Sequence, residues 1–250
     1  MLRRHTAHVA TYFAADFEAQ TDFQSRLPAV AKSISTSLVK PRWQAPLHKF
    51  FFKSEKDPLL VQVDHTRLSA QTIGYLPWAD HLAAHGDLIR SALETYAVTD
   101  LTRLGFKVQA WLNLGMSHPE LMELFFGSFL QPRATFPKVF GDITDGLLHL
   151  EGTSDGLSYL VVTCPQTTQQ SKAVFRVIPN AKLFSTTDDD LSPEIVQMKE
   201  GINDCLLVDI DVSKTTQPLS SLRDFLSSSC NKPEEFANNI VTTIKSIARP

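Results

Sequence analysis

The chain of 250 residues is 43% hydrophobic and carries 24 basic against 27 acidic side chains, a formal charge of −3. A chain of this length and apolar content buries a substantial core, which excludes an intrinsically disordered protein and allows one large domain or two small ones. The near-neutral charge, with no run of five like charges, gives no electrostatic footprint for nucleic acid or for an anionic membrane.

The segment 1–98 predicts a first α+β unit. His5–Ala19 alternates apolar and polar residues, which is the period of a half-buried strand. Thr21-Asp22 predicts the start of a helix whose apolar residues recur at helical spacing as far as Leu38, and Pro41 stops the run. Three shorter strands and a helix are predicted next: Leu47–Lys53, Pro58–His65, Arg67–Ile73 and Trp78–Tyr96.

The same order of elements is predicted again in the segment 99–250. A long strand over Leu101–Leu114 precedes a helix over His118–Leu130, with Ser117 as its cap. Polar residues over Lys182–Gly201 predict an inserted surface loop, which could equally carry a short helix around Pro193–Lys199. The other predicted strands and helices are Leu147–Glu151, Leu157–Cys164, Ala173–Ile178, Cys205–Ser213, Leu219–Ser228 and Pro233–Ile247.

The sequence therefore predicts an α+β fold of two pseudo-repeated strand–helix–strands–helix units with a mostly antiparallel sheet. The two units, 1–98 and 99–250, are expected to share a core or a continuous sheet and to form one compact structural domain. The repeat is one of pattern, because few residues are identical between the halves.

The cysteines and the N-terminus predict a cytoplasmic protein. Cys164, Cys205 and Cys230 are odd in number and far apart, which suits free thiols in a reducing compartment better than a disulfide framework or a paired zinc site. The basic start Met1–Arg4 is not followed by an apolar run, so neither a signal peptide nor a membrane span is predicted.

One side of the long middle strand is predicted to be polar and is the first candidate binding surface. An arginine, a lysine and a tryptophan on one face could bind an anionic or planar ligand, or a partner, by hydrogen bonding and stacking. The alternative, which we favour, is that Arg103 and Lys107 pair across the sheet with Asp209 or Asp211. The candidate binding residues are Arg103, Lys107, Gln109, Trp111 and Asn113.

Asp209 and Asp211 are the candidate catalytic residues. They are two positions apart on a predicted strand, so both carboxylates leave the same face, as in magnesium-dependent nucleotidyltransferases and phosphodiesterases. The same spacing also fits an ordinary strand. Its apolar residues alternate with the two aspartates and face the core, so the aspartates lie on the opposite, polar face. The preceding Gly201 region also lacks the Gly-Ser turn of a nucleotidyltransferase.

Other chemical motifs are weaker. His81 and His85 have the spacing of a zinc-binding helix, but the glutamate of a zinc protease motif is missing, and solvated histidines are favoured. Asp188–Asp190 is favoured as a solvated loop, because no EF-hand spacing follows it. Without a nucleophile elbow or a glycine-rich phosphate loop, the sequence predicts no cofactor and no resident metal.

Two segments carry a family resemblance: Arg103-Leu104-Gly105-Phe106-Lys107 and Leu206–Val212. They resemble a sporadically distributed prokaryotic family of proteins of similar length and unknown function. In that family an Arg-Leu-Gly strand follows a mid-chain helix with an aromatic residue near its start, here Trp78. An aspartate-rich apolar strand then leads into a terminal helix with a phenylalanine, here Phe236, and a threonine-rich turn, here Thr242-Thr243.

This resemblance implies no established reaction. The patchy distribution of the family implies an accessory or mobile-element role, such as defence. The chain departs from the family at one point. In the family the strand usually continues to an asparagine soon after the Arg-Leu-Gly, whereas this chain has Ala110 near that position and Asn113 beyond it.

These observations predict a non-enzymatic interaction or sensing protein whose partner is a protein. A small-ligand binder that uses a groove between the two units is the first alternative, and a metal-dependent phosphodiesterase or nucleotidyltransferase on Asp209 and Asp211 is the second. The sequence leaves the oligomeric state, the partner and the pathway open.

Overall fold

A computed structural model describes most of the chain. The described residues are 6–34, 39–44, 49–53, 59–73, 78–129, 145–171, 203–229 and 232–247. Within them the strands are β1 (Thr6–Asp16), β2 (Val39–Gln44), β3 (Lys49–Lys53), β4 (Leu59–Val63), β5 (Arg67–Ile73), β6 (Asp100–Leu112), β7 (Leu148–Ser154), β8 (Leu157–Gln166) and β9 (Cys205–Pro218). The α-helices are α1 (Phe23–Ile34), α2 (Trp78–Thr95), α3 (His118–Phe129), α4 (Leu222–Ser229) and α5 (Lys232–Ile247), with a 3₁₀ turn at Leu219–Ser221 before α4.

The nine described strands form one sheet in the order β2-β3-β4-β5-β1-β6-β9-β8-β7. Every neighbouring pair is antiparallel. The predicted α+β class with an antiparallel sheet is therefore confirmed. Strands from both predicted units meet at the pairing of β1 with β6, so one sheet runs through both segments. The duplication of the two units stays a prediction.

One apolar core lies between the helices and one face of the sheet. All five described α-helices contribute side chains to it. The central strands supply alternate residues, and none of these nine is more than 1% exposed: Leu104, Phe106, Val108, Ala110, Leu112, Leu206, Val208, Ile210 and Val212. Because side chains alternate along a strand, the residues between them emerge on the opposite face, which we call the polar face.

Several predicted boundaries differ from the observed ones. The described part of the first helix reaches Ile34, and its predicted continuation to Leu38 lies outside the described residues; the edge strand β2 that contains Pro41 was not predicted. Proline signals the end of a helix but is also tolerated in edge strands, where its missing N–H does not interrupt the sheet. The strands predicted over Leu147–Glu151 and Leu157–Cys164 are longer and meet at a tight turn at Asp155-Gly156, whose φ angles of 55° and 73° suit a two-residue hairpin. The predictions for Ala173–Ile178, for 182–201 and for Cys230 lie outside the described residues.

Asp204, immediately before β9, joins the beginning of α3 to the beginning of a helical segment at 168–171. Its Oδ2 accepts a hydrogen bond from the His118 backbone N–H at 2.8 Å, and its Oδ1 accepts one from the Thr168 N–H at 2.7 Å. Each segment also has its own cap, since Glu120 accepts from Ser117 and Gln170 accepts from Thr167. Burial raises the pKa of the Asp204 carboxyl, but the hydrogen bonds from Thr168 and His118 lower it by more, so the pKa lies below its ordinary value.

We expect Asp204→Asn to lower the free energy of unfolding at pH 7 by about 1–3 kcal/mol, because an amide nitrogen would face a backbone N–H donor. The folded-state pKa of Asp204 is lowered, so its contribution is present above the unfolded value of about 3.9 and is lost as the pH falls through the folded value. Urea denaturation at several pH values should therefore show that the wild type and Asp204→Asn differ in free energy of unfolding at neutral pH and that this difference disappears below about pH 4. Asp87→Asn, at a carboxylate 82% exposed, is the control and should change little.

Candidate functional site on the polar face

The candidate residues are brought together by the register of three neighbouring strands. β1 pairs with β6 so that Asp16 lies opposite Arg103 and Tyr12 opposite Lys107. β6 pairs with β9 so that Lys107 lies opposite Asp211 and Gln109 opposite Asp209. Side chains opposite each other in an antiparallel pair emerge on the same face, so all of these groups share the polar face.

Arg103 is held by two acids from the strands on either side of β6. Its Nη2 donates to both carboxylate oxygens of Asp211, at 2.7 and 2.8 Å. Its Nη1 lies 3.8 Å from Asp16, which also accepts a hydrogen bond from Arg67 Nη2 at 3.0 Å. Basic and acidic groups therefore alternate across β5, β1, β6 and β9.

Gly105 provides the space in which the Arg103 side chain lies. A Cβ atom at position 105 would come within 2.7 Å of the Arg103 guanidinium carbon, closer than packed atoms approach. The arginine thus lies flat over the next residue on its own face and reaches Asp211, which is opposite Lys107 and not opposite Arg103. A glycine inside a strand weakens it unless another group needs the space, and here the guanidinium needs it.

A second cluster lies beside the first, centred on Asp209. Lys107 Nζ and Gln109 Nε2 both lie 2.7 Å from the same oxygen, Oδ2 of Asp209. Tyr12 Oη donates to Gln109 Oε1 at 3.3 Å, so the amide links the phenol to the carboxylate. Burial raises the pKa of the Tyr12 phenol well above its ordinary value, and the negative charge of Asp209 adds to the shift, so the hydroxyl stays protonated as a donor.

We call the six ionic side chains of these clusters the charged row. It contains three acids and three bases, which gives it no net charge at neutral pH, and every member belongs to at least one ion pair. Their exposed fractions range from 16% for Asp209 to 48% for Arg67, so the row borders solvent. The members are Asp16, Arg67, Arg103, Lys107, Asp209 and Asp211.

Two predicted binding residues have other surroundings. Trp111 is on the polar face by alternation, but it is fully buried, so its ring does not present a stacking surface to solvent. Asn113 follows the end of β6, and its Oδ1 accepts a hydrogen bond from the Gly115 N–H at 2.9 Å, which closes a tight turn. Arg103, Lys107 and Gln109 are the predicted binding residues that the structure brings together.

The carboxylates of Asp209 and Asp211 are both occupied by basic or amide donors. A magnesium site needs carboxylate oxygens that are free to face the ion, and an adjacent lysine or arginine opposes the binding of a cation. Within the described ranges no group of three or more His, Cys, Asp or Glu side chains is close enough together to hold a metal ion. His81 and His85 lie in α2, and their side chains are outside the description.

Residues from the first half of the chain complete the site, and sequence reasoning did not name them as site residues. Tyr12 and Asp16 are on the polar side of the alternation in β1, but that pattern does not reveal which strand β1 pairs with. Arg67 begins β5, the other neighbour of β1, and no pattern in the sequence marked it as a site residue. The strand order brings these residues to β6.

Comparison with known proteins adds no family. A scan of the chain against models of protein families finds no match, and a search among curated proteins finds no similar sequence. The resemblance through Arg103-Leu104-Gly105 and Leu206–Val212 therefore stays a prediction. None of the helices in the described ranges is long and apolar enough to cross a membrane.

We expect Gly105→Ala to change the free energy of unfolding little, because moving the flexible Arg103 guanidinium away from Asp211 costs about 0.5–1 kcal/mol and the stiffer unfolded chain offsets about 0.4–1 kcal/mol. In an Arg103→Ala background the same change should stabilise by about 0.4–1 kcal/mol through a stiffer unfolded chain. Chemical denaturation of the four proteins measures this coupling. Gly152→Ala, where a Cβ meets nothing within 4 Å, should have the same effect in both backgrounds.

Lys107 and Asp209 should be energetically coupled. A double-mutant cycle with Lys107→Met and Asp209→Asn should give about 0.5–1 kcal/mol of coupling in the free energy of unfolding, since Asp209 is only 16% exposed. The same cycle on Arg90 and Asp87, which are 52% and 82% exposed on α2, should give a value near zero. Equal couplings in the two cycles would show that the polar face is an ordinary solvated surface.

Proposed function

We propose that this chain is a non-enzymatic interaction protein and that the charged row on the polar face docks a protein partner. The observation that carries the proposal is the arrangement of the row. Its charges are balanced and partly exposed, and Arg103–Asp211 and Lys107–Asp209 are ion pairs of 2.7 Å. Paired groups of this kind are preorganised for polar contacts but lack a free nucleophile, base or metal ligand.

The shape of the row favours a protein surface over a small ligand. It crosses four strands, β5, β1, β6 and β9, and therefore spans about 15 Å at the usual spacing between strands. Arg103 and Lys107 are engaged by carboxylates, so an anionic ligand would have to displace Asp211 or Asp209. A partner surface with both acidic and basic side chains can add hydrogen bonds around these pairs and leave them intact.

The charge balance also argues against nucleic acid as the partner. Binding to a phosphate backbone depends on an excess of lysine and arginine, which release counterions when they neutralise phosphates. The row contains three basic and three acidic side chains, so it attracts phosphates weakly.

We further propose a cytoplasmic location and an accessory, defence-associated role in a prokaryote. The location is supported by Cys164 and Cys205, which are both free thiols. Burial raises the pKa of the Cys205 thiol to about 11, so it is a packed side chain and not a reactive group. The role depends on the family resemblance, and the fit between Arg103 and Gly105 supplies a physical reason for an Arg-Leu-Gly strand.

The proposal is tested by blocking the polar face without touching its ion pairs. Ser158 is exposed on β8 opposite Ser213, beside the row, and Ser158→Arg adds a bulky side chain there. Ser91→Arg places the same change on the exposed side of α2. Tagged wild-type and variant proteins, matched in thermal stability, are purified gently from the native host, and bound proteins are quantified by mass spectrometry.

We expect a protein partner to copurify with the wild type and with Ser91→Arg. The amount recovered with Ser158→Arg should be at least about tenfold lower, equivalent to about 1.4 kcal/mol of binding free energy. Recovery of the same partner with both variants would place the docking surface elsewhere. Recovery of no partner with the wild type would count against an interaction function.

A further inference from the structure

β7 is an exposed edge strand at one end of the sheet. Among the described strands it pairs with β8 alone, so its outer backbone N–H and C=O groups have no strand partner in that part of the chain. Six of its seven residues are exposed, and the remaining one is half-buried. Unpaired edges of this kind are templates for another strand.

The two exposed large hydrophobic side chains of the described residues both lie here. Leu147 precedes β7 and is 64% exposed, and Leu150 in its middle is 52% exposed. Leu150 is opposite Val161, so it lies on the side of the sheet that carries the core. Apolar side chains concentrated at an unpaired edge indicate an interaction site more strongly than scattered ones do.

The opposite edge of the sheet has the usual protection, and β7 does not. β2 contains Pro41 between Lys40 and Arg42, and its register with β3 shifts between Val39 and Pro41. Proline, basic residues and irregular pairing all discourage the addition of a strand. β7 reads Leu148-His149-Leu150-Glu151-Gly152-Thr153-Ser154, with neither proline nor lysine.

The sequence of β7 is complementary to itself in one antiparallel register. Within one chain His149 Nε2 lies 3.1 Å from Glu151 Oε1. If Leu150 lies opposite Leu150 of a second copy, His149 of each chain also falls opposite Glu151 of the other, and a histidine can donate a hydrogen bond to a carboxylate. A shift of two residues in one direction would oppose histidine to histidine, and in the other direction glutamate to glutamate. A shift of one residue would join the helix-covered side of one copy to the polar face of the other.

We infer that β7 pairs with β7 of a second copy of this chain, in antiparallel register centred on Leu150, and extends the sheet through a symmetric dimer. The two Leu150 side chains contact each other on the helix side, and two His149–Glu151 pairs form on the other side. This inference is independent of the proposed function, because it uses an edge of the sheet and not the charged row.

Sedimentation velocity of the untagged full chain over a range of concentrations tests the dimer. We expect the mass to rise from 27.9 kDa towards twice that value with increasing concentration. Leu150→Asp should remove the association, since it places two carboxylates face to face at the centre of the pairing. Because Leu150 is exposed, its replacement should leave the thermal stability of the monomer almost unchanged.

A charge exchange tests the register. His149→Glu opposes glutamate to glutamate, Glu151→His opposes histidine to histidine, and either change alone should weaken the dimer. The double variant carrying both changes restores the opposite pairs across the interface and should recover association. A wild type that stays monomeric at every concentration, a dimer that survives Leu150→Asp, or a double variant no better than the single ones would each overturn the inference.

Discussion

β6 and β9 pair in one unbroken antiparallel register, from Asp100 opposite Pro218 to Leu112 opposite Leu206, and the other features of the molecule follow from this ladder. One face of the ladder is fully buried against the core over 104–112 and 206–212, which fixes the register, since a slip of one residue would turn the whole apolar row outward. With the register fixed, the side chains of Asp209 and Asp211 emerge beside those of Gln109 and Lys107.

The ion pairs between β6 and β9 are diagonal, and that geometry explains a sequence feature of β6. Arg103 passes over Gly105 to reach Asp211. A side chain at position 105 would occupy the space that the Arg103 guanidinium fills, so the glycine is needed for the placement of Arg103. The same acids that suggest a metal site in the sequence are paired in this arrangement, because Arg103 binds both oxygens of Asp211, and Lys107 and Gln109 bind Oδ2 of Asp209.

The two ends of the sheet differ in a way that bears on association. At one end Pro41 and its basic neighbours make β2 a poor template for a further strand. At the other end Leu147 and Leu150 are exposed, and among the described strands β7 pairs with β8 alone, with a glutamate and a histidine spaced so that two copies complement each other. The polar face and the β7 edge are therefore separate surfaces, and one molecule can use both.

The sequence by itself determined the α+β class, most of the helices and strands, and which face of each central strand is apolar, because these depend on periodicities of two and 3.6 residues that are local to each segment. It also determined that Arg103 and Lys107 had acidic candidates for pairing on one other strand. Only the tertiary structure decided which acid each base meets, that Tyr12, Asp16 and Arg67 join the site, and that Trp111 is buried. Those outcomes depend on strand order and on contacts between residues 51 to 108 positions apart, and local periodicity carries no information about either.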